Sequence, residues 1–211
     1  ILESVELLFT PIVYLEDVFV RADWKTGEVR VQTKVRNAGN ATTLGRLEFL
    51  AGPDKTGEAV AAVHIGQVLP PGDTLIQTEL QIENHRLWDI QEPCLYRLRA
   101  QLYCEADGRA DECSVRFGFR DFRVEKGYFR LNGRRIFLRS SHTGNHCPVG
   151  QIIAPDQARD LLRKDLLYAK AAGFNAVRFI AGVAHPEQLD LCDEIGLMVY
   201  EESLAAWLLG D

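Results

Sequence analysis

The sequence lacks any apolar run of the roughly 18 residues that a membrane-spanning helix needs, so we predict no membrane segment. It also lacks an excess of positive charge, because 24 lysine and arginine residues stand against 30 aspartate and glutamate residues, for a net charge of −6. A nucleic-acid-binding protein normally displays a basic stripe, so we expect no nucleic-acid partner. The acidic balance favours solubility and does not select a substrate.

The amino terminus lacks an initiator methionine, a basic segment and a cleavage site, since the chain begins Ile1-Leu2-Glu3. We therefore expect no signal peptide and predict that the sequence is part of a longer chain. The compartment stays open between the cytoplasm and a secreted or periplasmic location. A length of 211 residues is compatible with one or two structural units.

Cysteine is scarce and scattered, with five residues at 94, 104, 113, 147 and 192 and no CxxC pair. This set favours free thiols over a disulfide framework or a zinc site. Cys104 and Cys113 fall on the apolar face of a predicted hairpin, which allows them to lie opposite each other across the strands. They are then either a disulfide or two buried thiols, and buried thiols are the favoured state because cysteine is commonly a small core residue.

Residues 1–121 are predicted to form an immunoglobulin-like β-sandwich. Residues 29–35 alternate valine or threonine with arginine, glutamine or lysine, which is the period of a strand with one face in solvent. About seven such short strands, separated by turn-forming residues and without any helical period, are typical of this fold. Trp24 and Trp88 are assigned to packing within this sandwich. The other strand-like runs lie at about 12–22, 44–51, 59–65, 74–82, 95–104 and 113–119.

Residues 122–211 are predicted to form the first three βα units of a truncated TIM barrel. Asn132-Gly133 between two apolar runs predicts a hairpin. Strands at 136–140, 175–180 and 197–200 then alternate with helices that begin at Pro155 and Pro186, an order that indicates parallel strands with right-handed crossovers. Because no glycine-rich phosphate loop follows the first strand, a barrel is favoured over an open nucleotide-binding sheet.

A barrel of three strands has an open strand edge and exposed apolar helix faces. We therefore expect the barrel part of this chain to be poorly ordered, to self-associate through the open barrel edge, or to be covered by another copy.

From Trp88 onward, short motifs follow one another in an order and at spacings that resemble glycoside hydrolase family 2, the β-galactosidases, β-glucuronidases and β-mannosidases. The resemblance covers nearly the whole chain and implies an immunoglobulin-like domain followed by a TIM barrel. The motifs are Trp88-Asp89-Ile90-Gln91-Glu92-Pro93-Cys94-Leu95-Tyr96, Phe117-Gly118-Phe119-Arg120, Leu131-Asn132-Gly133, the spaced run Asp165, Lys170, Gly173, Phe174, Asn175, Val177 and Arg178, and Cys192-Asp193-Glu194-Ile195-Gly196-Leu197.

The sequence departs from the family pattern in three places. Ala181 stands where the family has the histidine of a His-Tyr-Pro motif, and Ser141–His146 replaces an Asn-Arg-His-Glu segment after the first barrel strand. Ala206 and Leu208 stand where magnesium-binding family members have glutamate and histidine. We therefore predict no metal and no other cofactor.

The resemblance implies that the longer protein is a retaining exo-β-glycosidase, acting on a carbohydrate with two carboxylates roughly 5 Å apart. In the family these carboxylates follow the fourth and seventh barrel strands, so both are expected beyond Asp211. No catalytic residue is predicted within this chain, and we expect no hydrolysis by these 211 residues alone. The alternative is a non-catalytic carbohydrate-binding or scaffold module from a degenerate relative. The sugar and its linkage stay open.

Two candidate substrate-binding residues are charged and stand at strand ends, where barrel active sites form. Arg178 ends the second strand within an apolar segment, so it must pair with a carboxylate. It is either a pocket cation, since the family analogue lies beside the nucleophile, or part of a structural salt bridge. Glu202 is either a pocket carboxylate or a salt-bridge partner at the strand end, and the adjacent Glu201 is expected to point to the opposite face.

Three further candidates lie in loops that follow strands. Asn145 and His146, after the first strand, either contact sugar hydroxyl groups or are ordinary loop residues. Trp207, after the third strand, either stacks on the face of a sugar or packs under a loop.

Overall fold

The computed structural model describes residues 7–104, 108–143, 155–179 and 184–202, which belong to two compact units. The sandwich unit consists of Leu7–Leu87 and Cys94–Arg120. The barrel unit contains the described residues from Asp121 onward together with the segment Trp88–Pro93. Trp88 therefore belongs to the barrel unit, and its assignment to the sandwich is wrong.

The sandwich unit has two antiparallel sheets, with strand orders β1-β2-β5 and β4-β3-β6-β7. In β6, residues 96, 98, 100, 102 and 104 are buried and the residues between them are half-buried, because successive side chains in a strand point to opposite faces. The buried faces of the two sheets share one apolar core that includes Val29, Phe49 and Phe119. The strands are Val13–Ala22 (β1), Glu28–Asn37 (β2), Thr43–Pro53 (β3), Ala61–Leu69 (β4), Gly72–Gln81 (β5), Tyr96–Cys104 (β6) and Gly108–Phe117 (β7).

The two cysteines of the predicted hairpin do not face each other. Cys104 lies opposite Gly108, and Cys113 lies opposite Ala100. The opposed position that the hairpin allowed is not adopted, because the pairing of β6 with β7 places the two cysteines at different positions along the ladder, with a register shift between Leu102 and Tyr103. Neither cysteine forms a disulfide bond, and burial raises the pKa of the Cys113 thiol.

Two glycines in the four-stranded sheet have opposite surroundings. A Cβ added to Gly52 in β3 would lie 1.8 Å from the backbone oxygen of Glu58, because the chain between β3 and β4 passes directly against this glycine. A Cβ added to Gly66 in β4 would meet no atom within 4 Å. The packing therefore requires glycine at position 52 and leaves space for a side chain at position 66.

We expect Gly52→Ala to lower the free energy of unfolding by about 2 kcal/mol or more, because the backbone at Glu58 must move to admit the methyl group. Gly66→Ala is the matched control in the neighbouring strand and should raise it by about 0.5 kcal/mol, since alanine restricts the unfolded chain. Urea denaturation followed by circular dichroism measures both changes. Equal transition midpoints for the two variants would contradict the packing at Gly52.

The barrel unit contains an antiparallel sheet of order β10-β9-β8 and a parallel sheet of order β11-β12-β13. The parallel strands alternate with helices, and this confirms the predicted fold class, a β-sandwich followed by the start of a TIM barrel. The elements are Phe122–Glu125 (β8), Tyr128–Leu131 (β9), Arg134–Arg135 (β10), Ser140–Thr143 (β11), Pro155–Ala171 (α1), Ala176–Phe179 (β12), Pro186–Ile195 (α2) and Met198–Glu201 (β13).

The turns and helix ends follow the chemistry of their residues. Asn132 and Gly133 have φ angles of 50° and 76°, which is the left-handed pair that a tight hairpin turn needs. Helix α2 begins at Pro186 and is followed by Gly196, whose φ of 80° lets its N–H bond back to the carbonyl of Cys192. None of the helices in the described ranges is long and apolar enough to cross a membrane.

The first parallel strand begins at Ser140 rather than at the predicted Ile136. The side chain of Asn175, which is 5% exposed, explains the difference. Its Oδ1 accepts the N–H of Arg139 at 2.8 Å and its Nδ2 donates to the carbonyl of Phe137 at 2.7 Å. A buried amide side chain thus takes the backbone groups that a neighbouring strand would otherwise use.

Candidate functional site

The carboxyl ends of β12 and β13 bring Arg178 and Glu202 into contact. Nε of Arg178 donates to Oε1 of Glu202 at 2.5 Å, and Nη2 donates to the same oxygen. The Glu202 side chain is 10% exposed and that of Arg178 is 41% exposed. Arg178 therefore has the carboxylate partner that its position in an apolar segment requires, and the pair remains open to solvent on the arginine side.

The parallel register places Arg178 between His142 of β11 and Tyr200 of β13. Its neighbours Val177 and Phe179 are fully buried in the apolar cluster that includes residues of both helices. Because successive strand residues point to opposite faces, Arg178 lies on the face away from the helices, which is the inner face of a barrel. The ring centroid of Tyr200 is 5.5 Å from Cζ of Arg178.

The adjacent carboxylates Glu201 and Glu202 have different partners. Oε1 of Glu201 accepts the backbone N–H of Ala184 at 2.5 Å, whereas Glu202 binds Arg178. This is the divergence expected of neighbouring strand residues, and it prevents these two carboxylates from acting as a pair on one substrate.

The other candidates stay predictions. Asn145, His146 and Trp207 lie outside the described residues, as does Ala181. Among the residues that the structure describes, no group of three or more His, Cys, Asp or Glu side chains is arranged to hold a metal ion.

Sequence reasoning missed His142 and Tyr200 as neighbours of Arg178. Tyr200 precedes Glu202 by two residues, so the period of a strand places both on one face. That signal was available in the sequence. The position of His142 was not, because it follows from the register between two parallel strands.

A second polar cluster holds the segment Trp88–Pro93 in the barrel unit. The Trp88 side chain is 1% exposed, and its indole Nε1 donates to the backbone oxygen of Asp193 at 2.8 Å. The backbone oxygen of Trp88 accepts Nδ2 of Asn132 at 2.9 Å. Arg134 forms an ion pair with Asp89. The side chain of Trp88 thus satisfies a backbone group of helix α2, and the side chain of Asn132 satisfies a backbone group of the segment.

Lys170, at the end of helix α1, joins this segment to the end of helix α2. Its Nζ donates to the backbone oxygen of Ile90 and to that of Gly196, the latter at 2.7 Å. Burial lowers the pKa of the Lys170 ammonium group. A Cβ on Gly196 would lie 2.4 Å from the Ile90 oxygen, so close approach of the two backbones also requires glycine there.

We expect Lys170→Met to lower the free energy of unfolding by about 2 kcal/mol, because two carbonyl groups in buried surroundings lose their donor. Lys164→Met, on the exposed side of the same helix, is the control and should change it by about 0.5 kcal/mol or less. Urea denaturation followed by circular dichroism provides the measurement. A Lys170 variant as stable as the control would show that the lysine does not hold this segment.

A concavity of 730 Å³ lies at the other end of the parallel strands. Asp89, Arg134, Phe137 and Asn175 contribute to its lining, on the side where the strands begin. Barrel active sites form where the strands end, so we assign the candidate site to Arg178 and Glu202 and not to this concavity.

In this chain a β-sandwich is followed by parallel βα units, with a charged pair at the carboxyl ends of the strands, where sites of β/α barrels form. Residues 13–120 match the sequence model of glycosyl hydrolases family 2, and residues 122–206 match that family's TIM barrel domain. The chain belongs to glycosyl hydrolases family 2, as its motifs indicated.

Similar proteins include larger members of this family. A β-galactosidase of Vibrio cholerae serotype O1 is 33% identical over 215 residues, which cover 96% of this chain and 20% of that protein. A family 2 member from Bacteroides cellulosilyticus is 26% identical with a TM-score of 0.82, over 92% of this chain and 25% of that structure. A β-galacturonidase from Eisenbergiella tayi bound to galacturonate is 28% identical with a TM-score of 0.78, over 92% of this chain and 34% of that structure. The chain thus spans about a fifth of the length of the curated relative.

Proposed function

We propose that this chain is the immunoglobulin-like domain and the first part of the catalytic barrel of a retaining exo-β-glycosidase, with the domain boundary between residues 121 and 122. The observation that carries the proposal is the pairing of Arg178 with Glu202 on the inner face of the parallel sheet, at the carboxyl ends of the strands. Family membership supports the same reaction class. The substrate is a β-linked glycoside, and the sugar is left open because the named relatives are a galactosidase and a galacturonidase.

In the proposed reaction, one carboxylate attacks the anomeric carbon while a carboxylic acid protonates the departing glycosidic oxygen. The acid, now a carboxylate, then removes a proton from water, which attacks the anomeric carbon and releases the first carboxylate. We place both groups beyond Asp211 in the longer protein. Arg178 supplies positive charge beside the attacking carboxylate and keeps it ionised, because an adjacent cation lowers a carboxyl pKa.

The arrangement of Arg178 supports this role. Glu202 occupies Nε and Nη2, whereas Nη1 has no hydrogen-bond partner among the residues that the structure describes. An arginine that is held along one edge presents its other edge to a second carboxylate. Asn145, His146 and Trp207 remain proposed sugar contacts.

The full-length gene product should hydrolyse an aryl β-glycoside with retention of configuration, which proton NMR of the first-formed anomer detects. The isolated 211-residue chain is expected to show no hydrolysis, since we place both carboxylates outside it. Sugar binding without turnover by the full-length protein would favour the non-catalytic alternative. Hydrolysis by the purified 211-residue chain would contradict the proposed position of the catalytic groups.

Arg178→Lys in the full-length protein should lower kcat about 100-fold, because an ammonium group cannot hold Glu202 and stabilise a second carboxylate through separate edges. Arg163→Lys is the matched control, since Arg163 and Glu194 form an ion pair of 3.1 Å on the exposed surface of the same unit. Steady-state kinetics on an aryl β-glycoside compares the two. Equal kcat values for the two variants would assign the Arg178–Glu202 pair to structure alone.

A further inference from the structure

We propose that Tyr200 is a positioning residue for Arg178, and that its ring fixes the orientation of the guanidinium group that Glu202 anchors. The inference rests on the proposed function, because it concerns how the pocket cation is directed at the attacking carboxylate. Tyr200 lies directly opposite Arg178 in the register of β12 and β13, and its ring centroid is 5.5 Å from the guanidinium carbon. That distance is within the range of a cation–π contact.

The anchor provided by Glu202 leaves one motion of the guanidinium unrestrained. Both donors of Arg178, Nε and Nη2, bind the single oxygen Oε1. Two parallel bonds to two carboxylate oxygens fix the plane of a guanidinium, but two bonds that converge on one oxygen allow it to pivot about that atom. A second contact is needed to select one orientation.

Tyr200 is the side chain in the described part of the sheet that supplies such a contact. A cation over an aromatic ring is held by the negative potential of the ring face, and the contact restricts the guanidinium to the neighbourhood of that face. Tyr200 is 59% exposed, so its ring packs little against the apolar core, and removing the ring should leave the fold intact. The ring, and not the phenol hydroxyl, performs this role.

Loss of the Tyr200 ring should slow the reaction by raising the pKa of the attacking carboxylate. When Arg178 pivots, its free edge spends less time beside that carboxylate, whose pKa then rises because the neighbouring positive charge is less well placed. The acid limb of the pH profile reports this pKa. A ring that only contacted the sugar would change KM and leave the acid limb in place.

Tyr200→Leu in the full-length protein should lower kcat/KM about two- to fivefold, mainly in kcat, and shift the acid limb to higher pH. Tyr200→Phe keeps the ring and should behave like the wild type. Tyr168→Leu is the matched control, because Tyr168 on helix α1 is 62% exposed and has Lys164 Nζ 5.7 Å from its ring centroid. It should change neither kcat/KM nor the acid limb.

A Tyr200→Leu variant with wild-type kcat/KM and acid limb would overturn the inference. So would a Tyr200→Phe variant as impaired as Tyr200→Leu, because the effect would then belong to the hydroxyl group. A second readout does not need turnover: NMR of the Arg178 Nε–H group in the full-length protein should show faster guanidinium rotation in Tyr200→Leu than in wild type, Tyr200→Phe or Tyr168→Leu. If the full-length protein hydrolyses no β-glycoside, the proposed function fails. Unchanged rotation in Tyr200→Leu overturns the positioning role by itself.

Discussion

Two backbone carbonyl groups, those of Ile90 and Gly196, are both bound by the ammonium group of Lys170. Without a donor at this point, close approach of the two segments would leave polar groups unsatisfied in a mostly apolar environment. The end of helix α1, the turn after helix α2 and the segment Trp88–Pro93 all depend on this contact. The family motifs supply these residues from distant parts of the sequence, which explains why a lysine, a tryptophan and a glycine occur together in the pattern.

The strands, the Asn132-Gly133 hairpin and the helix beginning at Pro186 were predictable because each depends on local chemistry. Alternation reveals a strand, and a residue that favours positive φ reveals a turn. The late start of β11 was not predictable, since it depends on a side-chain amide 36 positions away from Arg139. Trp88 was misassigned for the same reason, because the unit into which its ring packs depends on residues more than 100 positions away.

The candidate site was predictable where a charged residue stands within an apolar segment and needs a partner of opposite charge. Arg178 in an apolar segment requires a carboxylate, and Glu202 on the neighbouring strand supplies it. The neighbour His142 depends on strand register, which hydrogen bonding between distant segments determines. Residue type alone therefore required a carboxylate partner for Arg178, while the identity of that partner and the geometry of the pair came from the three-dimensional arrangement.

Gly196 satisfies two unrelated demands, a φ of 80° at the end of a helix and a backbone approach that leaves no space for a Cβ beside the Ile90 oxygen. No single substitution at this position meets both demands. A side chain at this position would lie too close to the Ile90 oxygen, and the residue that carries it would also be strained at a positive φ. Glycine at position 196 is therefore expected wherever this turn and this backbone approach are both kept.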